Sequence, residues 1–213
     1  MESSNMIRIL VADDHPILRR GLAEVISGQQ GMRVVAEAAT GTEVLELYAE
    51  HRPDIALIDV RLPDTQGIGL IDELRSRFPG ARIIVLTTAT GDVQIVRALR
   101  AGALSYLSKS VARPELIETI RKVARGQKHI PPQVAAEMAE HAMDEALSMR
   151  EITVLQHASN GNSNKIIADT LRLSEHTIKT HFKNILGKLQ ANDRTHAVMI
   201  ALRRGYLELP NAQ

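Results

Sequence analysis

The stretch that decides the fold is "MIRILVADDHPILRRGLAEVIS", Met6 to Ser27. A β-branched apolar run, Ile7 to Ala12, ends abruptly in two carboxylates, Asp13 and Asp14. Pro16 then opens a segment with apolar residues at helical spacing. This strand, polar turn and helix make one βα unit. The same alternation continues outward from it. Strands are predicted at Arg33 to Ala38, Ile55 to Asp59, Arg82 to Thr87 and Ser105 to Leu107, and "TEVLELYAEH", "GLIDELRSRF", "DVQIVRALRA" and "PELIETIRKVA" read as helices. Five βα units imply a parallel sheet with helices on both faces, and the continuously apolar "RIIVLT" suits a strand covered on each side. The fold class is α/β, a five-stranded doubly wound sheet.

After Gly126 the pattern changes. "QKHIPPQ" breaks the chain, "VAAEMAEHAMDEA" reads as an acidic linker helix, and from Ser148 onward only helices are predicted: Met149 to Ser159, Asn164 to Leu171, Glu175 to Leu189 and Arg194 to Arg204. Ser148 with Glu151 forms a capping box, and Ser163 and Ser174 stand where their oxygens can accept from free first-turn N–H groups. Gly161 and Gly205 stand where helices stop. The resulting domain boundaries are 1–128, a helical linker 129–147, and a small all-α domain 148–213.

The chain has 213 residues and a formal charge of +1, which conceals an uneven distribution. Residues 1–128 hold 17 basic and 16 acidic side chains, residues 129–147 hold four acidic and none basic, and residues 148–213 hold nine basic and five acidic. The last third, at +4, suits an anionic partner such as nucleic acid. No apolar run approaches the roughly 20 residues of a membrane span, no secretory signal is legible at the start, and cysteine is absent. A cytoplasmic protein with no membrane partner and no thiol chemistry is expected.

In an open parallel sheet ligands bind at the carboxyl ends of the strands. Collected there are Asp13, Asp14, Asp59, Thr87 and, just beyond the last strand, Lys109. Crowded carboxylates repel unless a cation neutralises them, and an all-oxygen set selects a hard ion, Mg2+ above all. The set suits phosphoryl transfer onto one carboxylate. Asp59, alone at the end of the central strand, is the candidate nucleophile.

The pattern "ILVADDHP…IALIDVRLPDTQG…IIVLTT…AGALSYLSKS" resembles the receiver domain of two-component response regulators, and "LSMREITVLQHASNGNSNKIIADTLRLSEHTIKTHFKNILGKLQANDRTHAV" resembles the LuxR-type helix-turn-helix domain that ends regulators of the NarL/FixJ class. The resemblance implies a flavodoxin-like strand order 2-1-3-4-5 and a transcription regulator rather than an enzyme. It implies phosphorylation of Asp59 by a sensor histidine kinase. Asp14 would hold Mg2+ directly, Asp13 through water and Arg61 through its backbone carbonyl, with Asp59 as the other half of the metal site. Lys109 would contact the phosphate, and Thr87 and Tyr106 would form the switch pair. Ser110 departs from the Pro that many receivers carry after the Lys. His15 is read as structural.

In "SEHTIKTHFKNILGKLQ" the apolar Ile178, Phe182, Ile185, Leu186 and Leu189 make one stripe, leaving Lys179, Thr180, Lys183 and Asn184 opposite. Preceded by "SNKIIADTLRL" and a short turn, this is a helix-turn-helix. The resemblance implies groove contacts from Lys179, Thr180 and Lys183, and phosphate contacts from Asn164, Lys165, Thr177, Lys188 and Arg194 on double-stranded promoter DNA. It also implies a homodimer in the phosphorylated state and RNA polymerase as a further partner. His176 and His181, five apart, stand about 140° apart on a helix and do not form a zinc pair. Competing readings are a regulator that works without phosphate, a Mg2+-dependent phosphohydrolase, and a flavin protein; "DDHP" in place of a Ser/Thr-rich phosphate loop disfavours the flavin.

Overall fold

The computed structural model describes residues 6–65, 67–88 and 91–207. The chain divides into two compact units, Met1–Ala89 with Ile95–Ala136 and Thr90–Gln94 with Glu137–Gln213.

The first unit is built on β1 (Ile7–Ala12), β2 (Met32–Ala38), β3 (Ile55–Ile58), β4 (Ile83–Thr87) and β5 (Ser105–Ser108), alternating with α1 (Pro16–Ser27), α2 (Gly41–His51), α3 (Gly69–Arg77), α4 (Asp92–Arg100) and α5 (Arg113–Ala124). Every strand pairing is parallel and the order is β2-β1-β3-β4-β5, as the resemblance implied. With right-handed crossovers this order sends α1 and α5 to one face and α2, α3 and α4 to the other. Burial follows. Ile9, Val11, Ile55, Leu57, Ile84 and Leu86 pack in one cluster with Ile26 of α1 and Leu116, Ile120 and Val123 of α5. The alternate residues Leu10, Ile58, Ile83 and Val85 point the other way and are buried as completely, as are Val44, Leu74 and Ile95 of the opposite helices. Sheet coverage on both sides is why β3 is apolar throughout and β4 is apolar up to Thr87.

The second unit holds α7 (Met149–Ser159), α8 (Asn164–Leu171), α9 (Glu175–Leu189) and α10 (Arg194–Arg203), and the division at Ala136 falls within α6 (Pro132–Glu140). The capping box forms in both directions, Ser148 Oγ accepting from Glu151 N and Glu151 from Ser148 N, and Ser163 and Ser174 cap α8 and α9. Asp193 caps α10 in the same way. Gly161 and Gly205 have φ of 81° and 75°, the left-handed geometry expected where helices stop. Leu155, Ile167, Ile178, Phe182, Ile185, Ala197 and Ala201 form a shared core.

The acidic helix differs from its expected extent. It begins at Pro132, which pre-sets the first-turn φ, and ends at Glu140 rather than running to Ala146. Beyond it the chain turns, with Asp144 N donating to His141 O and the His141 imidazole 2.9 Å from the Asp144 carboxylate. The acidic residues that follow α6 are drawn to the basic unit: Asp144 pairs with Arg204 at 2.8 Å and Glu145 with Lys188 at 3.0 Å.

Candidate functional site

The carboxyl end of β1 lies between those of β2 and β3, Asp13 N donating to Ala38 O of β2 and Asp59 N to Ala12 O of β1. This register brings Asp13 and Asp59 together at the edge, and both are buried, at 1% and 2% exposure. Two buried carboxylates need a counter-charge. Lys109 supplies it from the end of β5, its Nζ 2.7 Å from Asp13 Oδ2 and 2.6 Å from Asp59 Oδ2. Burial works to lower the Lys109 pKa, but bonding to Asp13 and Asp59 outweighs it and holds the ammonium above the ordinary lysine range. Lys109 N donates to Thr87 O, tying the β4 and β5 ends together.

Asp14, partly exposed, adds a third carboxylate beside the pair. Three negative charges against one ammonium leave an excess of two, the charge of one divalent cation. Asp13 Oδ2 is buried and receives no aligned hydrogen bond, its contact with Lys109 being an ion pair. Asp13, Asp14 and His15 offer ligand atoms within 4.8 Å of one another. This acidic pocket fits a metal ion.

The remaining residues lie close by in the fold. Arg61 N donates to Asp59 Oδ1 at 3.0 Å, fixing the loop that carries the Arg61 carbonyl. Thr87 ends β4 and is fully buried. Tyr106 is buried at 3% although it lies on an edge strand, and strand alternation sets it on the sheet face opposite Leu107. Ser110 uses its N–H to donate to Ser108 Oγ at 3.2 Å, a bond that proline could not make.

The loop after Asp59 is anchored by a residue that sequence reasoning passed over. Asp64 accepts from Gly41 N at 2.6 Å and Thr42 N at 3.0 Å, clamping the loop to the first turn of α2. These donors, Thr42 first, hold the Asp64 carboxyl below the usual range. A Cβ at position 41 would stand 1.8 Å from Thr65 Cγ2, so a larger residue there would force the Thr65 side chain to move. "PDTQG" reads as a turn; its partner lies over 20 residues away and leaves no local signal.

In the second unit, α9 buries Ile178, Phe182, Ile185 and Leu189 and leaves Lys179, Thr180, Lys183 and Asn184 exposed, the two faces read from the sequence. Arg172, in a left-handed conformation (φ 54°), closes α8 and turns the chain into Ser174 and α9. Lys165 is exposed at the start of α8; Thr177 is half-buried beside Ser174. Four of the five expected phosphate contacts have internal partners, Thr177 Oγ1 lying 2.9 Å from Ser174 Oγ and Asn164 Oδ1 accepting from Arg194, and in Lys188 and Arg194 the cation itself is engaged. Lys188 Nζ lies 3.0 Å from both Glu145 and Glu151 and donates to Ala146 O, and these partners raise its pKa. Arg194 donates to Asn162 O and to Asn164 Oδ1, and its guanidinium lies 4.8 Å from the Phe182 ring centroid. Both long cations are drawn to acceptors 30 or more residues away in sequence, which periodicity does not reveal. Among the described residues no helix is long and apolar enough to cross a membrane.

Comparison with known proteins agrees with both halves of this geometry. The family model "Response regulator receiver domain" matches residues 9–121, and "Bacterial regulatory proteins, luxR family" matches residues 145–201. The chain is 37% identical to the transcriptional regulatory protein YxjL of Bacillus subtilis, over 97% of this chain and 100% of that protein. It is 32% identical to the response regulator VraR of Staphylococcus aureus, over 95% and 99%. Among solved structures, RcsB of Salmonella enterica serovar Typhimurium, bound to promoter P1flhDC with the phosphomimetic BeF3-, is similar at TM-score 0.74 and 25% identity, covering 93% of this chain and 99% of that one. The response regulator ChrA of a heme-sensing two-component system is similar at TM-score 0.57 and 32% identity, covering 95% and 100%.

Proposed function

Because the chain belongs to the two-component response regulators that join a receiver domain to a LuxR-type helix-turn-helix domain, we propose that Asp59 accepts a phosphoryl group from a sensor histidine kinase and that this controls promoter binding. The family consists of DNA-binding regulators rather than turnover enzymes. The observation that carries the proposal is the buried Asp59 carboxylate with one oxygen at the Arg61 N–H and the other at the Lys109 ammonium.

Phosphoryl transfer from phosphohistidine forms a bond between an Asp59 oxygen and phosphorus and breaks the bond from phosphorus to the imidazole nitrogen, which leaves with its electron pair and takes up a proton. Lys109, already between Asp13 and Asp59, turns its charge toward the incoming oxygens. Thr87 supplies a hydroxyl to another of them, and Tyr106 follows Thr87 as the second half of the switch. Asp14, Asp59, Asp13 through water and the Arg61 carbonyl would hold Mg2+, which when bound would offset phosphoryl charge. The receiver's two states then bias homodimerisation and DNA binding.

On the DNA side, Lys179, Thr180 and Lys183 reach into the major groove while Asn164, Lys165 and Thr177 meet the backbone. Lys188 and Arg194, read from the sequence as phosphate contacts, serve instead to position α9 and the start of α8, since their hydrogen-bonding groups are directed inward. Action is cytoplasmic, with RNA polymerase as a further partner.

Incubation with a small phosphodonor and Mg2+, followed by intact-mass measurement, tests this reading. One phosphate adduct is expected. Hydroxylamine should remove it, as it removes an acyl phosphate but not a phosphoserine or phosphothreonine, and it should be absent in Asp59→Ala. Continuous release of phosphate from an ester would show the hydrolase instead, and no adduct, with DNA binding intact, would show the phosphate-independent regulator.

A further inference from the structure

His15 follows the Asp pair directly, and its imidazole lies at the site rather than in a core. Its Nδ1 is 2.6 Å from Asp14 Oδ1 and 3.4 Å from Asp13 Oδ1. Nδ1 and Asp14 Oδ1 share a hydrogen bond in the ion-free protein, and an ion taken up between them would widen that contact only slightly, since cis ligands on an octahedral ion with bonds of about 2.1 Å stand about 3.0 Å apart. The side chain is 71% exposed and contributes nothing to packing. Its backbone is fixed nonetheless: Pro16 restricts the preceding residue to extended geometry, and His15 has φ −89° and ψ 106°, with its N–H donated to Asp13 Oδ1 at 2.9 Å. The imidazole is therefore carried on a preset backbone beside two carboxylates, with its Nδ1 directed at Asp14.

We propose that His15 is a nitrogen ligand of the receiver's cation site, through Nδ1, and that it gives this site a preference for borderline transition ions over Mg2+. The proposal rests on the cation reading above and adds to it. Mg2+ gains little from an imidazole, being a hard ion that keeps oxygen ligands and water, whereas Mn2+, Co2+ and Ni2+ gain progressively more from nitrogen. An all-oxygen site differentiates these ions weakly. One imidazole steepens the order. The bound form places the imidazole proton on Nε2, leaving the Nδ1 lone pair for the ion.

Calorimetric titration of the full chain with Mg2+ and separately with Ni2+ tests this in wild type, His15→Ala and Asp14→Ala. His15→Ala is expected to weaken Ni2+ binding by about tenfold or more while changing Mg2+ binding by less than about twofold. Because His15 is exposed, its replacement leaves the melting transition of the ion-free protein unchanged. Equal weakening of both ions would assign His15 the role of orienting Asp14 and overturn the proposal, as would no change in either. Ni2+ binding that survives Asp14→Ala would lie at another of the chain's eight histidines and would overturn it too. Mg2+ binding that is absent in wild type, or that survives Asp14→Ala, would instead remove the cation reading on which the proposal stands.

Discussion

The two functional regions use charge in opposite ways. At the strand ends Asp13, Asp59 and Lys109 are buried and bound to one another, whereas on α9 Lys179 and Lys183 stand in solvent. A buried charge is committed during folding: it has lost its water and depends on its neighbours. An exposed lysine costs folding almost nothing and contributes only when a partner arrives. Chemistry that must stabilise a developing charge needs the first arrangement. Binding that must be reversible and sensitive to salt needs the second.

Removing Lys109 breaks the comparison most severely. Lys109→Met leaves two buried carboxylates without their cation, and a loss of about 3–5 kcal/mol is expected in urea unfolding of the metal-free protein. Added Mg2+ should restore part of it. A loss below about 1 kcal/mol would mean that the strand-end charges are far better hydrated than their burial implies.

Glu151 belongs to the helical unit but is buried like the receiver residues, and it sharpens the comparison at an intermediate magnitude. It closes the capping box and pairs with Lys188, and although burial pushes its pKa up, the bonds from Ser148 and Lys188 prevail and hold it below the ordinary range. Glu151→Ala should cost about 2–3 kcal/mol. Because its folded pKa is depressed, its contribution is present above the unfolded glutamate value of about 4.3 and fades as pH falls through the lower folded value. Thermal melts of wild type should therefore lose stability on acidification below about pH 4.3, and Glu151→Ala should lose less over that window.

The smallest effect on folding belongs to α9. Lys183→Ala should leave unfolding within about 0.5 kcal/mol of wild type, while DNA affinity falls and the slope of log affinity against log salt drops by about one. A large change in stability, or an unchanged salt slope, would remove Lys183 from the DNA-facing set.

Most of the fold was legible because the inner strands β1, β3 and β4 are largely apolar runs that stop at a polar residue, so Asp13, Asp59 and Thr87 mark strand ends, whereas the edge strands β2 and β5 carry polar residues within them. Boundary errors were small: β2 starts at Met32 rather than Arg33 and β5 reaches Ser108. The exposed side of α9 was equally legible, since its stripe of Ile178, Phe182, Ile185 and Leu189 dictates what remains outside. What escaped was long-range pairing of flexible side chains. Lys188 and Arg194 look like free cations in a basic segment, yet each is absorbed by acceptors that only the tertiary fold brings near. His15 escaped for a different reason: an imidazole next to two carboxylates in sequence says nothing of where its ring points.

The clamp between Asp64 and the first turn of α2 has a consequence for how such a chain can drift. A side chain at position 41 would collide with Thr65, and the Gly41 and Thr42 amides would lose their acceptor if Asp64 changed. A larger residue at 41 is therefore expected to be tolerated only after Thr65 has been shortened, whereas Thr65 can be shortened first at no cost to Gly41, so exchange at these two positions is expected to run in one order.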